Sequence, residues 1–319
     1  MTDHEKTILY GVDVSKARLD IASSQGASIG LNNTGDEIAQ WLASFPGRAR
    51  IALEATGKYH ELLLAQALAA GHEVFLINGR QLNHYREAVG PRAKTDPGDA
   101  RLLLRYLSRE EHDLKPVKAL TVLEKRLWQL LQRRAVLVKV RTQLRLSLGG
   151  DDQLQSVQDD LTESLNRSIV RIERLMKQLA DKLGWQEAVK RCQSIPGIGL
   201  INALALVTCF HRGEFQRSDQ WIAYLGLDVR VRDSGVSRGR RKLSKRGNPE
   251  LRRLLYNGAM SAKQMPGVSE QYERYRHRGM SSTATLVILS RKLARIVFAV
   301  LSKGENYDEK MSRWVCMNP

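Results

Sequence analysis

Two groups of side chains in this 319-residue chain could do chemistry, and they lie far apart in the sequence. The first is a set of carboxylates. Asp13 closes the apolar run TILYGVDVS, Glu54 closes a second run, ARIALEA, and Asp96 and Asp99 stand three apart in KTDPGDARLLLRYL. An acid at the end of an apolar run is an acid at the end of a buried strand. Two aspartates three apart at a helix start share one face, with Pro97 suited to the first turn. If the strands that end in Asp13 and Glu54 are parallel neighbours, their carboxyl ends bring both acids to one point, where open α/β sheets place their sites. Hard oxygen donors of this kind select Mg²⁺ or Mn²⁺. Singly, each acid has an ordinary explanation as a helix cap or a surface charge; the four together favour the metal. Asp20 and Glu61 fall at no strand end and read as surface charges.

The second group is the stretch Val229 to Tyr256, VRVRDSGVSRGRRKLSKRGNPELRRLLY. It sets ten Lys/Arg against Asp233 and Glu250, which leaves +8 of the chain's +17. Three hydroxyls, Ser234, Ser237 and Ser244, sit among Gly235, Gly239 and Gly247, so a phosphate can approach the backbone closely. Arg232, Arg238, Arg240, Arg241, Lys242, Lys245 and Arg246 in the loop, and Arg252 and Arg253 on the helix after it, are candidate phosphate contacts that carry no base specificity. Spacing does not choose among the serines, and a solvated basic loop leading into a helix has the same composition. Upstream, SIPGIGLINALALV offers a glycine hairpin before a helix, like the helix-hairpin-helix elements that clasp nucleic-acid backbone. Gly197 and Gly199 would there expose backbone N–H groups to a phosphate, unless the turn merely joins two core helices.

Charge is unevenly placed around these groups. Residues 1–110 hold 13 basic and 13 acidic side chains, 111–189 hold 14 and 11, and 190–319 hold 24 and 10. A C-terminal part with that excess suits a polyanion, bound with counterion release, so nucleic acid is the leading partner. An anionic membrane is disfavoured, because no basic amphipathic helix carries bulky aromatics. No apolar run approaches a membrane span and the first residues lack a signal-peptide pattern, which leads to the expectation of a soluble, cytoplasmic protein. Cys192, Cys209 and Cys316 are far apart and without CxxC spacing, so they read as buried or spare thiols rather than a disulfide framework or zinc site.

The elements that must position these groups follow from periodicity. Strands are expected at Thr7 to Ser15, Arg18 to Ala22, Ala27 to Leu31, Ala49 to Ala55 and His72 to Ile77. A short helix through Trp41 and Phe45, a helix from Tyr59 to Ala70 and one opened by Asp96 make this a layered α/β region with a mixed sheet. From Ala119 to Trp185 two leucine stripes, broken at Gly149-Gly150-Asp151-Asp152, predict a long helical hairpin or a dimerising coiled coil. Phe215 to Leu227 reads as a compact helical segment with Trp221 and Tyr224 in the core. Glu250 to Met260 and Ser282 to Leu301 are strong helices, the second carrying Arg291, Lys292 and Arg295. The fold class is α/β plus all-α, with domains at 1–112, 113–189 and 190–319.

The motifs YGVDVSK, ALEATGKYH, KTDPGDARLL, SIPGIG and DSGVSRGRRKLSKRGNPELRRLLY, spread over nearly the full length, resemble transposases of the DEDD insertion-sequence type, the family that includes the bridge-RNA-guided recombinases. The resemblance implies a RuvC-like, RNase H-type N-terminal domain with Asp13, Glu54, Asp96 and Asp99 as its acidic tetrad, and Ser234 as the catalytic serine. It also implies DNA element ends and target as substrates, a structured guide RNA, and dimers that pair into tetramers in which one subunit's carboxylates complete another's serine site. Under this reading Ser234 attacks a phosphodiester and forms a phosphoserine intermediate. Two rivals differ in chemistry. One is a two-metal junction endonuclease that uses water, and the other is a non-catalytic nucleic-acid-binding protein that leaves the four acids without a reason.

Overall fold

A computed structural model describes residues 7–54, 59–89, 96–230, 233–234, 237–238 and 241–308. The chain divides into two compact units, Met1–Ala119 and Leu120–Pro319.

The first unit is built on a five-stranded mixed sheet. Its elements run β1 (Leu9–Val14), β2 (Arg18–Ser23), β3 (Ser28–Asn32), α1 (Gly35–Ala43), β4 (Arg50–Glu54), α2 (Glu61–Ala69), β5 (Glu73–Ile77), α3 (Gly79–Val89) and α4 (Asp96–Glu110). The strand order is β3-β2-β1-β4-β5. The tight turn after β1, where the Ser15 amide and hydroxyl both donate to the Arg18 carbonyl at 2.9 Å, forces β2 back antiparallel. β3 pairs antiparallel with β2, whereas β4 and β5, each reached through a helix, lie parallel to β1 and to each other.

Alternation sends the two faces of the sheet to different partners. Tyr10, Val12, Val14, Leu19, Ile21, Ile51 and Leu53 pack with Ile38, Trp41 and Leu42 of α1 and Leu63 and Ala67 of α2. Ala52, Phe75 and Ile77 face the other way, onto Leu82 of α3 and Leu102, Leu103 and Leu107 of α4. Helix α3 is absent from the sequence expectation. Of its eleven residues only Leu82 is fully buried, and its apolar stripe is the short set Leu82, Tyr85 and Val89 in GRQLNHYREAV.

The second unit is helical. It comprises α5 (Val122–Leu148), α6 (Gln155–Lys182), α7 (Gln186–Gln193), α8 (Leu200–Arg212), α9 (Ser218–Tyr224), four two-residue strands β6 (Val229–Arg230), β7 (Asp233–Ser234), β8 (Ser237–Arg238) and β9 (Lys242–Leu243), and then α10 (Pro249–Ala262), α11 (Pro266–His277) and α12 (Ser282–Lys303). A capping box starts α5: the Glu124 amide donates to Thr121 Oγ1 at 3.2 Å, and the Thr121 amide donates to the Glu124 carboxylate at 2.7 Å.

α5 and α6 form an antiparallel hairpin. Arg134 pairs with Glu173 at 2.7 Å and Arg141 with Asn166 at 2.6 Å, so a step of seven residues up one helix is a step of seven down the other. At the open end of the hairpin Leu127, Leu130, Leu131, Met176 and Ala180 enter the same core as α8, α10 and α12. Around the central α12 the core holds Leu289, Leu293 and Val297, and the buried Trp221 indole N–H donates to the Ala294 carbonyl at 3.0 Å. Tyr224, expected in the core, is 41% exposed and meets Phe215 edge-on. Cys192 and Cys209 are free and buried, and burial pushes both thiols up, Cys192 to about 12, which leaves them unreactive. Cys316 lies outside the described residues. Among the described residues no helix is long and apolar enough to cross a membrane.

Candidate active site

The face of the sheet covered by α4 collects the acids. Register pairs Val12 with Leu53, so Asp13 and Glu54 stand one residue beyond that pair at the carboxyl ends of parallel neighbours. Both are half-buried. They alternate onto the same side as Gly11 and Ala52. Gly11 then decides how near α4 comes: a Cβ there would lie 2.2 Å from the Ala100 carbonyl oxygen and 2.3 Å from the Leu104 amide nitrogen. The helix backbone thus rests directly on β1, two residues before Asp13. Asp99, next to Ala100, is buried on this side at 6% exposure. Asp96 opens α4 one turn earlier, and its side chain lies outside the described residues.

Two acids on this face hold arginines. Arg86 of α3 donates to Asp99 Oδ1 at 2.8 Å and, through its other nitrogen, to Asn83 Oδ1 at 2.8 Å. Asp20 pairs in register with Asp13 across the antiparallel ladder and accepts from Arg18 Nε at 3.1 Å. The Arg18 guanidinium fits because Gly30 of β3 has no side chain; a Cβ there would sit 2.1 Å from it. The sequence alone makes Asp20 a surface charge and singles out neither Arg86 nor Gly11. The signal for Asp20 is its distance from Asp13 across a short turn, which an antiparallel hairpin converts into adjacency. Glu54 has its own accommodation, since a Cβ on Gly79 would come within 2.3 Å of its Oε1.

In the second unit the basic stretch is a nested pair of ladders. Val229 and Arg230 pair with Leu243 and Lys242, and Asp233 and Ser234 pair with Arg238 and Ser237. Ser234 and Ser237 are therefore opposite each other on the inner ladder. The side chains of 231–240 lie outside the described residues, among them those of Arg232, Ser234, Arg238 and Arg240. Ser244 is buried: its hydroxyl donates to the Asp228 carboxylate and accepts from the Arg246 amide at 3.4 Å. Arg241, Lys242, Lys245 and Arg246 line the outer part of the stretch, and all four are exposed.

Arg252 and Arg253, on α10, already have partners within the chain. Arg252 donates to the Gly247 carbonyl at 2.5 Å and the Leu225 carbonyl at 3.3 Å, and burial lowers its pKa. Arg253 grips Glu250 with two bonds of 2.6 and 2.7 Å, which raise its pKa. The two glycines of SIPGIG differ as well. Gly197 adopts φ +81° and abuts α10, where a Cβ would lie 2.2 Å from the Gly258 carbonyl oxygen. Gly199 is the N-cap of α8 and faces open space.

Asp13, Glu54 and Asp99 are hard oxygen donors on one face, and that chemistry fits a divalent cation. Their spacing stops short of a closed site: among the described residues no three acids lie close enough to enclose an ion. Asp99 already has a cation in the Arg86 guanidinium.

Comparison with known proteins gives concordant matches for both units. A family model described as Transposase (DEDD_Tnp_IS110) matches residues 10–149, and one described as Transposase IS116/IS110/IS902 family matches residues 189–275. The chain is 27% identical to a pilin gene-inverting protein of Moraxella lacunata, over 94% of this chain and 98% of that protein. It is 36% identical to a transposase for insertion sequence element IS1111A of Coxiella burnetii, over 46% of this chain and 41% of that protein. Among solved structures, Thermus thermophilus RuvC aligns with 35% of this chain and 100% of its own at 14% identity and a TM-score of 0.28.

Proposed function

Because the chain belongs to the DEDD transposases of the IS110/IS116/IS902 family, we propose that it cuts and rejoins DNA through a covalent phosphoserine at Ser234. The Ser234 Oγ–P bond forms as the phosphorus–oxygen bond to the leaving sugar hydroxyl breaks. The serine proton is given up and one is taken by the departing oxygen. The phosphoserine keeps the bond energy for the reverse attack that joins a new partner strand. The observation that carries this reading is the ladder of the basic stretch, which pairs Ser234 with Ser237 in a segment rich in cations. A relative that matches along nearly its whole length is named for inverting a gene. Inversion needs rejoining as well as cutting, which favours a covalent intermediate over hydrolysis.

Asp13, Glu54, Asp99 and Asp96 are the residues that would hold a divalent ion, Mg²⁺ or Mn²⁺, which when bound supplies charge stabilisation for attacking and leaving oxygens. Within the protein, Gly11 brings α4 onto β1 and so assembles the acids. Arg241, Lys242, Lys245 and Arg246 draw in phosphates; Arg232, Arg238 and Arg240 add charge beside the serine. The same cationic surface serves a structured guide RNA, consistent with 24 basic and 10 acidic residues in 190–319. Val136, Val140, Leu146, Val157, Leu161 and Val170, all exposed along the α5–α6 hairpin, support assembly of the chain with copies of itself.

The test is a denaturing gel of the protein with end-labelled element DNA and Mg²⁺. The parent should give a DNA band retarded by covalently attached protein, and Ser234→Ala should give none. Cut ends without protein in the parent, or normal recombination by Ser234→Ala, would overturn the serine mechanism in favour of water.

A further inference from the structure

Arg86, like Arg18, is a cation on the carboxylate face that the proposed chemistry leaves without a task. Its side chain is 17% exposed and its guanidinium lies 2.8 Å from the buried Asp99 carboxylate. A buried carboxylate is tolerated only with a partner, and Arg86 is the cation that the buried Asp99 carboxylate has in this arrangement. The helix that carries Arg86 reaches a second acid. At its first residue, Gly79 leaves room for Glu54 Oε1, and at its last, the Val89 carbonyl accepts from Arg105 Nη1 of α4 at 2.9 Å. α3 is therefore tied to the site by the ion pair, the close approach at Gly79 and the Arg105 side-chain bond, beside the packing of Leu82, Tyr85 and Val89 against α4.

We propose that Arg86 is a placeholder cation: it neutralises Asp99 until a divalent ion takes that carboxylate, and its displacement loosens α3 from α4. A guanidinium and a metal ion compete for the lone pairs of Asp99 Oδ1, and two cations at one carboxylate repel each other. Asn83, one turn back on α3, gives the released guanidinium a neutral acceptor that it already uses, at 2.8 Å. Arg86 is thus a positioning residue whose pairing sets the affinity of the site. This rests on the carboxylate reading given under Proposed function.

The full-length chain is titrated with Mn²⁺, followed by electron paramagnetic resonance, and the α3 amides are followed by hydrogen exchange. Arg86→Met should bind Mn²⁺ about tenfold more tightly than the parent, within the usual range of coupling between competing cations. In the parent, Mn²⁺ should speed α3 exchange, and in Asp99→Asn it should not. Equal or weaker Mn²⁺ binding by Arg86→Met overturns the placeholder role, since an arginine that prepares Asp99 for the ion would give that sign. Should Arg86→Met fail to fold, α3 exchange in the parent decides, and exchange unmoved by Mn²⁺ overturns the proposal. If Asp13→Asn loses Mn²⁺ while Arg86→Met gains nothing, the placeholder alone falls; if the parent binds no Mn²⁺, the carboxylate reading falls with it.

Discussion

The first unit brings charge to a point and the second spreads it over a surface. On the sheet, register puts Asp13 beside Glu54 on one strand pair and beside Asp20 on the other, while Gly11 brings α4 and Asp99 onto the same face. Residues 1–110 are balanced in charge, and two of these acids are matched by Arg18 and Arg86. The second unit, residues 120–319, holds 36 basic side chains against 19 acidic ones. Its cations lie along helix surfaces and an exposed ladder, and some are crowded: burial, helped by Arg274, lowers the pKa of Lys292, and burial does the same to Arg291. A strand ladder fixes neighbours to within a residue, which suits a reaction centre. Cations spread over helices tolerate displacement, which suits a polyanion that must be held without being read.

The sharpest way to break this division is to alter each unit and measure both properties. Asp13→Asn or Glu54→Gln should lower DNA cleavage by about 10³-fold at saturating DNA, a loss of the size seen when a group acting in the transition state is removed. Binding of the same DNA at fixed salt should change little; a parallel loss of affinity would mean that the acids organise the whole protein rather than the reaction. Next in size, Gly11→Ala forces a methyl group into the α4 backbone and should destabilise the first unit by about 1–3 kcal/mol, read as faster hydrogen exchange in β1 and α4. Gly197→Ala is its counterpart in the second unit, because the residue has both a positive φ and a carbonyl where its Cβ would be. Exchange that spread equally through both units would merge them into one cooperative body.

Smaller again is the reverse experiment. Replacing Lys242, Lys245 and Arg246 by Gln should flatten the salt dependence of DNA binding by about 0.9 in slope for each phosphate that is no longer neutralised, with cleavage at saturating DNA retained. The smallest effect concerns acid stability. Burial, reinforced by Arg48, lowers the pKa of His72. As pH falls, the unfolded chain therefore takes the proton first. The stabilisation is complete above the free imidazole value of about 6.5 and drains away below it, toward the folded pKa. Urea midpoints for the first unit should fall between about pH 7 and pH 5, and His72→Gln, which can still accept from the Ala49 amide as Nδ1 does at 3.3 Å, should flatten that fall.

Much of the fold was legible because periodicity is a local property. The strands that end in Asp13 and Glu54, the start of α4 at Asp96 and the two long helices broken near Gly149 all stand within a residue or a few of their expected places. Helix α3 was not legible, because its apolar stripe is only Leu82, Tyr85 and Val89 among polar residues. The short ladders of the basic stretch escaped for a similar reason: two-residue strands show no alternation to detect. Ser244 could not be told from Ser234 and Ser237 by neighbours in sequence, since its partner, Asp228, is sixteen residues away.

By itself, the amino-acid sequence determined which groups exist and how they are spaced along the chain: four acids at element edges, a cationic C-terminal part, three serines among glycines. Those are matters of residue type and short-range period, and folding does not alter them. Tertiary structure alone decided which groups meet. It set Asp20 opposite Asp13, gave Asp99 to Arg86, tied Arg252 to the Leu225 carbonyl and committed Gly197 to the approach of α10. Each of these depends on a contact between residues separated by a turn, a helix or more, and a contact of that kind leaves no pattern in either partner's own segment.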